Sequence, residues 1–333
     1  MKVFGLTSLR SAILLFSLAA LCLSSLVHAE EAKKRKILFF TRSQGFEHST
    51  VKLVAGHDKS FGQQILENLG EKNGFEVTTT KDGTFFTEEK LAPFDAIIFC
   101  TTGDLCKEGG DKQPPMTKEG KQLFIDLVKK GKGFIAMHNG ADTFHSAGGE
   151  GHTAQRNKTD EPANYDPYCT MLGGEFMCHG SQQKAKIVCY DKKFPGVADW
   201  ADGAEFQEEW YTLKNFGTDI HVIFSLDAPK MALRDGKDWM YNREAYPCTW
   251  ARKYGEGRVY YTAMGHREDV WNNPAYQKLL IGAIDWVTKK VEADIPANMT
   301  EATPKGPEVA VQPPPAPKAA GETKKDPAKK DAK

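Results

Sequence analysis

The sequence predicts an α/β fold, a three-layer sandwich whose mostly parallel central β-sheet has helices on both faces. The first observation is a set of short apolar runs without polar alternation, which is typical of strands buried on both faces. The second is that segments of helical length and helical apolar spacing separate these runs. Strands that alternate with such helices form right-handed βαβ units, and these units build a parallel sheet.

The first half of the chain carries the regular part of this pattern. Apolar residues recur at near-helical spacing from Val51 to Leu69 and stop at Asn73-Gly74, a pair typical of a helix C-terminus. A second helix is predicted over residues 117–129. Strands are predicted at residues 36–41, 75–78, 95–100 and 133–138.

The second half is less regular. Strands are predicted at residues 185–189, 222–224 and 258–262, with a hairpin turn at residues 254–257 and a closing helix over residues 276–287. A loop is predicted from Asn139 to about Asn164. Loops of this length in a compact domain are more often functional than idle, so we expect this one to lie near a site.

The two ends of the chain differ from the part between them. Residues 1–29 combine a positive start, an apolar run and a small-residue cleavage site, which predicts a secretory signal peptide and a periplasmic or secreted protein without a stable membrane anchor. Residues 292–333 are rich in Pro, Ala and Lys, which predicts a disordered tail. One α/β domain over residues 30–291 remains. The formal net charge of +0 disfavours a nucleic-acid partner.

Six of the seven cysteines follow the predicted signal peptide. An exported protein can form disulfides, and the pairs Cys100/Cys106 and Cys169/Cys178 are close in sequence. Free buried thiols are an equally acceptable reading of the same pattern.

Polar side chains follow several of the predicted strands. His48 lies in the loop after the first strand, Asp104 follows the third, His138 ends the fourth, and His266 follows the late strand at residues 258–262. In open α/β sheets, ligands bind at the carboxyl ends of the parallel strands. We therefore expect these side chains to face one cleft.

Several short motifs occur in order over about residues 36–290. They are Gly45-Phe46-Glu47-His48-Ser49, the Gly131–His138 segment, Leu172–His179, Glu208-Glu209-Trp210-Tyr211, Pro247–Trp250, Gly255–Val259 and Gly265-His266. Together they resemble the ThuA-like family, which is associated with trehalose utilisation. The resemblance implies a class I glutamine amidotransferase-like (flavodoxin-like) fold with a histidine, here His138, at the position of the nucleophilic cysteine. A glutaminase needs a thiolate there, so we reject glutaminase activity.

Two mechanisms fit these residues. In the first, His48, His138, His179 and His266, with Glu209 or Asp142, bind a divalent metal such as Zn, Fe or Mn, because imidazole and carboxylate ligands suit these ions. In the second, the same groups act without a cofactor as an acid/base pair. In both, the catalytic residues are His138, Asp142, Glu209 and His266.

The family resemblance implies a small carbohydrate ligand. Residues predicted to bind it are His48, Asp104, Phe144, Trp210 and Tyr211, whose aromatic members could stack on a sugar ring. We expect an exported enzyme that hydrolyses or isomerises a small sugar or keto-disaccharide. The alternative is a non-catalytic carbohydrate-binding or scaffolding module. The sequence leaves the oligomeric state open, a homo-oligomer included.

Overall fold

The computed structural model describes residues 34–146, 156–201, 203–233 and 238–313. The predicted signal peptide at residues 1–29 lies outside the described residues, as do residues 314–333 of the predicted tail. Within the described ranges, every helix is too short or too polar to cross a lipid bilayer.

A mixed β-sheet of nine strands forms the centre of the fold, and a separate two-stranded sheet lies beside it. The strands are β1 (Arg35–Phe40), β2 (Phe75–Thr80), β3 (Ala96–Phe99), β4 (Gly133–Met137), β5 (Glu175–His179), β6 (Gln183–Cys189), β7 (Glu205–Glu208), β8 (Tyr211–Lys214), β9 (His221–Leu226), β10 (Tyr246–Tyr254) and β11 (Gly257–Thr262). Their order in the large sheet is β2-β1-β3-β4-β11-β10-β9-β6-β7, and β5 pairs with β8.

The first five strands of that order are parallel and form the half of the sheet that was predicted from apolar runs. The pairs β2/β1, β1/β3, β3/β4 and β4/β11 all run in the same direction. Every residue of β3, β4 and β11 is buried, as expected for strands covered on both faces. Strands β10, β9, β6 and β7 then continue the sheet with antiparallel pairing.

Helices cover both faces of the sheet, which confirms the predicted α/β architecture. They are α1 (Phe61–Asn73), α2 (Glu88–Leu91), α3 (Lys118–Lys129), α4 (Pro167–Leu172), α5 (Glu268–Trp271), α6 (Pro274–Val287) and α7 (Met299–Ala302). Helices α1, α5 and α6 contact one another, and α3 contacts α4, so two groups of helices enclose the strands. The layer order is therefore helix, sheet, helix.

Helix α1 is shorter than its apolar pattern predicted. The pattern began at Val51, but the helix begins at Phe61, because the Ser60 side chain accepts a hydrogen bond from the Gln63 amide and acts as the N-cap. The predicted stop is confirmed: Gly74 has φ of 74° in the left-handed region, and its amide donates to the Gly70 carbonyl.

The packed domain continues past the predicted end at residue 291. The Glu292 carboxylate receives two hydrogen bonds from Arg258, at 2.5 and 2.6 Å. Farther along, Asn298 pairs with the edge of β9 through Val222, and Met299 is 6% exposed. Residues 292–313 thus form an ordered strap, because the Asn298 side chain bonds to the backbone of β9, a contact that composition alone does not reveal.

The six cysteines of the described residues form no disulfide with one another. The Cys100 thiol donates to the side-chain oxygen Oδ1 of Asn139 at 2.9 Å, whereas the Cys106 thiol faces the backbone carbonyl of Thr117 at 3.7 Å. Neither cysteine of that predicted candidate pair is bonded to the other, so the free-thiol reading agrees with the structure.

Candidate functional site

A cleft of about 840 Å³ opens at the carboxyl ends of the parallel strands. It is lined by loops that follow β1, β3 and β11, by the end of the small β5/β8 sheet and by the segment after β4. His48, Asp104 and His266 lie on its wall, as the positions of these residues after the strands predicted. The topology therefore brings together side chains that are far apart in sequence.

Four side chains form a compact cluster at this cleft: His48, His138, Glu209 and His266. One ligand-type atom from each lies within 4.8 Å of those of the others. His179, which was predicted to be the fourth metal-binding histidine, is not in this group. Its imidazole is 41% exposed and lies at the cleft wall, with Nδ1 3.3 Å from a Glu209 oxygen. Glu209, one of the two carboxylates predicted to join the histidines, is a member of the group.

His138 lies at the sharp turn between β4 and the next segment. Its φ of 40° is unusual for a residue with a side chain, as expected where a strand presents a functional group at a tight elbow. The ring is buried, and Nδ1 donates to the Ala263 carbonyl at 2.9 Å. In that tautomer Nε2 carries the lone pair, and this buried atom has no hydrogen-bond partner.

His48 and His266 complete the imidazole group. The ring centre of His48 lies 5.1 Å from that of His138 and 5.2 Å from that of His266. Burial, followed by the charges of the neighbouring imidazoles, holds the pKa of His48 well below its ordinary value. Burial and then the charge of His138 lower the pKa of His266 to about 4. Both rings are therefore neutral at physiological pH in the free protein, which is the form that binds metals.

Glu209 carries the negative charge of the cluster. Its Oε2 lies 3.5 Å from His138 Nε2 and 3.6 Å from His266 Nε2. Burial opposes ionisation, but the adjacent His138, followed by His179 and His266, outweighs it and lowers the pKa of Glu209. The carboxylate is therefore the anionic member of the cluster.

Glu208, the preceding residue, holds the loop that carries His266. Its buried carboxylate accepts hydrogen bonds from the Gly265 amide at 2.9 Å and the His266 amide at 3.2 Å. Burial raises the pKa of this carboxyl group. Sequence analysis gave Glu208 no role, although its place beside Glu209 in an acidic pair was the available signal.

The predicted substrate-binding residues divide into two groups. Asp104, Phe144 and Tyr211 line the cleft, and the Tyr211 ring packs against His138 with ring centres 4.0 Å apart. The prediction for Trp210 is wrong, because its side chain is completely buried and its indole donates to the Gln183 carbonyl at 3.1 Å. Successive side chains of an extended chain point in opposite directions, so Trp210 faces away from the cleft that Glu209 and Tyr211 line.

Asp142 lies on the cleft wall but outside the four-residue cluster. It pairs with the guanidinium of Arg156, and its Oδ1 lies 3.1 Å from His145 Nε2. Its carboxylate is thus held by two basic groups, which fits binding of a ligand better than proton transfer at the cluster.

Sequence analysis missed several other residues of the cleft wall. Arg156 lies over the Phe176 ring, 4.7 Å from its centre, and Phe176 in turn packs on Tyr211 at 4.2 Å. Lys121 pairs with Asp166 at 2.7 Å, and Lys107 lies 3.4 Å from Asp104. The charged residues come from loops and from helix α3 without a recognisable motif, whereas Phe176 lies on β5 within the Leu172–His179 motif. The wall therefore combines aromatic surface with ion pairs that offer both donors and acceptors.

A buried ionic network supports this wall from behind. Lys214 donates to Asp160 at 2.7 Å and lies 4.0 Å from Glu175. Glu175 also accepts from the Ser146 hydroxyl at 2.5 Å. Burial opposes ionisation of Glu175, but the hydrogen bond from His145 and the charge of Lys214 prevail and lower its pKa to about 2. The network thus joins Ser146 to Glu175, which are next in sequence to the cleft residues His145 and Phe176.

Comparisons with known proteins agree with this fold. Residues 36–287 match the family described as "ThuA: Trehalose utilisation". A ThuA-like protein from Bacteroides uniformis has 19% identity and a TM-score of 0.57, over 78% of this chain and 93% of that one. A second, from Parabacteroides merdae, has 16% identity and a TM-score of 0.50, over 84% and 97%.

No curated protein matches the sequence. The family match covers most of the chain, and the motifs at His48, His138, Glu209 and His266 all fall within the matched residues. The two solved relatives share the fold at low identity. The chain therefore belongs to the ThuA family.

Proposed function

We propose that this protein is an exported, metal-dependent enzyme that hydrolyses or isomerises a small sugar, with a keto-disaccharide as the favoured substrate. The observation that carries the proposal is the cluster of three imidazoles and one carboxylate at the carboxyl end of the parallel sheet. The family description supports the carbohydrate class of the ligand. The composition of residues 1–29 supports export.

The residues of the cluster fit a divalent metal. Three nitrogen donors and one carboxylate are a common ligand set for zinc, iron or manganese. The buried Nε2 of His138 has no hydrogen-bond partner, and a metal ion coordinated by its lone pair would satisfy this atom. The Ala263 carbonyl fixes the other nitrogen of this ring, as is usual for histidines that bind metals.

In this proposal His48, His138, Glu209 and His266 hold the metal. A metal bound there would supply polarisation of a sugar carbonyl or activation of water. Glu208 positions the backbone of His266, and Tyr211 fixes the plane of the His138 ring. Tyr211 and Phe176 offer apolar surface to a sugar, and Asp142 and Asp104 offer acceptors for its hydroxyl groups.

Elemental analysis of the mature protein, residues 30–333, tests the metal. Wild-type protein is expected to retain one transition-metal ion per chain, and His138→Ala and His266→Ala are expected to lose it. His57→Ala is the matched control, because His57 is exposed and lies outside the cleft. Folded wild-type protein that holds no metal after incubation with zinc, iron and manganese would refute the metal proposal.

Turnover is tested on the same proteins with trehalose and a 3-keto-disaccharide, by chromatography of the products. Release of a monosaccharide indicates hydrolysis, and a new sugar of unchanged mass indicates isomerisation. We expect His138→Ala to abolish either reaction while His57→Ala retains it. If neither the wild type nor His138→Ala converts the sugar, and both bind it with the same affinity, a carbohydrate-binding module would be favoured.

A further inference from the structure

Phe46 differs from the other aromatic residues of the cleft in its exposure. Its ring is 71% exposed, whereas Phe144, Phe176 and Tyr211 are each at most 4% exposed although they line the same cleft. Single exposed apolar residues are common on proteins and need no explanation by themselves. Phe46 is distinguished by its fixed backbone and by the histidine ring next to it.

The backbone that carries Phe46 is fixed to the neighbouring loop. The Thr102 carbonyl accepts from the amides of Gln44 at 3.0 Å and Gly45 at 3.4 Å. The Thr102 hydroxyl in turn donates to the Phe46 carbonyl at 2.9 Å. An exposed ring on a fixed backbone loses little conformational entropy when it binds a ligand, because few torsions remain to be ordered.

The Phe46 ring is next to the histidine–glutamate cluster. It meets the His48 ring at an interplanar angle of 89°, with ring centres 5.1 Å apart. The His48 ring centre is in turn 5.1 Å from that of His138. A flat ligand that lies on Phe46 is therefore separated from the centre of the cluster by about one imidazole.

Polar groups surround the same position. The Gln44 side chain is held by the Asp104 amide, which donates to its carbonyl oxygen at 3.2 Å, and Asp104 and Lys107 form an ion pair at 3.4 Å. All three side chains line the cleft with Phe46. An apolar ring face beside fixed donors and acceptors suits a sugar ring, which has an apolar face and a rim of hydroxyl groups.

We propose that Phe46, with Gln44 and Asp104, forms a binding subsite for the second ring of a disaccharide whose first ring lies at the His48–His138–Glu209–His266 cluster. This inference rests on the proposed function. The cleft volume of about 840 Å³ supports it, because it lies in the upper part of the range of small-ligand sites, about 300–1,000 Å³. Phe46 would thus select two-ring sugars over monosaccharides.

Isothermal titration with trehalose and with glucose tests this subsite. Phe46→Ala is expected to weaken trehalose binding about tenfold, from the lost stacking and burial, and to change glucose binding less than about twofold. Phe46→Trp is expected to restore trehalose binding. Leu53→Ala is the matched control, because Leu53 is another apolar residue of the same chain segment, 52% exposed, that does not line the cleft.

Each other outcome overturns the inference. Unchanged trehalose affinity in Phe46→Ala, with wild-type binding intact, removes the subsite but leaves the proposed function standing. Equal weakening of trehalose and glucose assigns Phe46 to the first ring instead. If Phe46→Ala loses self-association in gel filtration but keeps its sugar affinity, Phe46 is a contact between subunits. Wild-type protein that binds neither of these sugars nor the 3-keto-disaccharide refutes the proposed function as well. Metal content and melting temperature show whether each variant is folded.

Discussion

Replacing Lys214 by Met should destabilise the protein strongly. The Lys214 ammonium group is completely buried, 2.7 Å from Asp160 and 4.0 Å from Glu175, whose side chains are 2% and 0% exposed. Methionine fills similar space but removes the ammonium group that lies between the two buried carboxylates. Asn215, which donates to both carboxylates at 2.9 Å, cannot neutralise them.

The expected loss can be estimated from these contacts. Breaking a buried ion pair by removing one partner costs about 3–5 kcal/mol. At about 2 °C per kcal/mol for a domain of this size, the melting temperature should fall by roughly 6–10 °C. Lys230→Met is the control, because Lys230 is 67% exposed and its pair with Asp227 should contribute less than about 1 kcal/mol.

Differential scanning calorimetry of both variants at pH 7 provides the measurement. The substitution should also loosen the cleft wall, since Glu175 holds Ser146 and His145, so sugar affinity should fall with stability. Equal melting temperatures for Lys214→Met and Lys230→Met would refute the reasoning, because the buried carboxylates would then be neutral or hydrated in the folded protein.

Three further predictions concern pH, the strap and the thiols. In metal-free protein, NMR titration should show His266 neutral at pH 6 and protonated only near its pKa of about 4. In the unfolded chain the same imidazole binds its proton near pH 6.5, so the unfolded state binds more protons than the folded state between about pH 6.5 and pH 4. His266 should therefore make the free energy of unfolding fall as the pH drops through this range. A measured His266 pKa above 6 in the folded protein would contradict this prediction. Truncation after residue 291 should lower the melting temperature by several degrees relative to truncation after residue 313, because it removes the contacts of Glu292, Asn298 and Met299. Equal melting temperatures for the two truncated proteins would show that the strap does not stabilise the domain. Alkylation of native protein followed by mass spectrometry should modify Cys106 faster than Cys100, because burial raises the pKa of Cys100 to about 12, and a disulfide-linked peptide containing both would contradict the structure.

The local pattern of the sequence determined the parallel half of the sheet and the places where the functional loops begin. The apolar runs at residues 36–41, 95–100 and 133–138 became β1, β3 and β4 within one or two residues. Runs of this kind are informative because a strand covered on both faces must be apolar at every position. The rule that ligands bind at the carboxyl ends of such strands then placed His48, His138 and His266 at one cleft.

The antiparallel half and the small sheet were harder to predict. Strands β5, β7 and β8 were missed, because they are short and lie beside loops, so their periodicity is too brief to separate from a turn. Strand β10 was predicted only indirectly, by the hairpin turn at residues 254–257. The strap after residue 291 was missed because its stability comes from backbone partners on β9 and from Arg258, and its composition is that of a disordered segment. Local propensity cannot report a partner that is distant in sequence.

Only the tertiary structure decided which acidic group joins the three histidines. The sequence offered His179, Glu209 and Asp142 as members of the site, and the packing of β7 and β8 brings Glu209 into the cluster while Arg156 and His145 hold Asp142 on the wall. The physical reason is that side-chain identity and strand ends are local properties, whereas the distances among loops separated by many residues depend on the order in which the strands pack. The sequence by itself thus determined the fold class and the chemistry available, and the tertiary structure determined which groups meet.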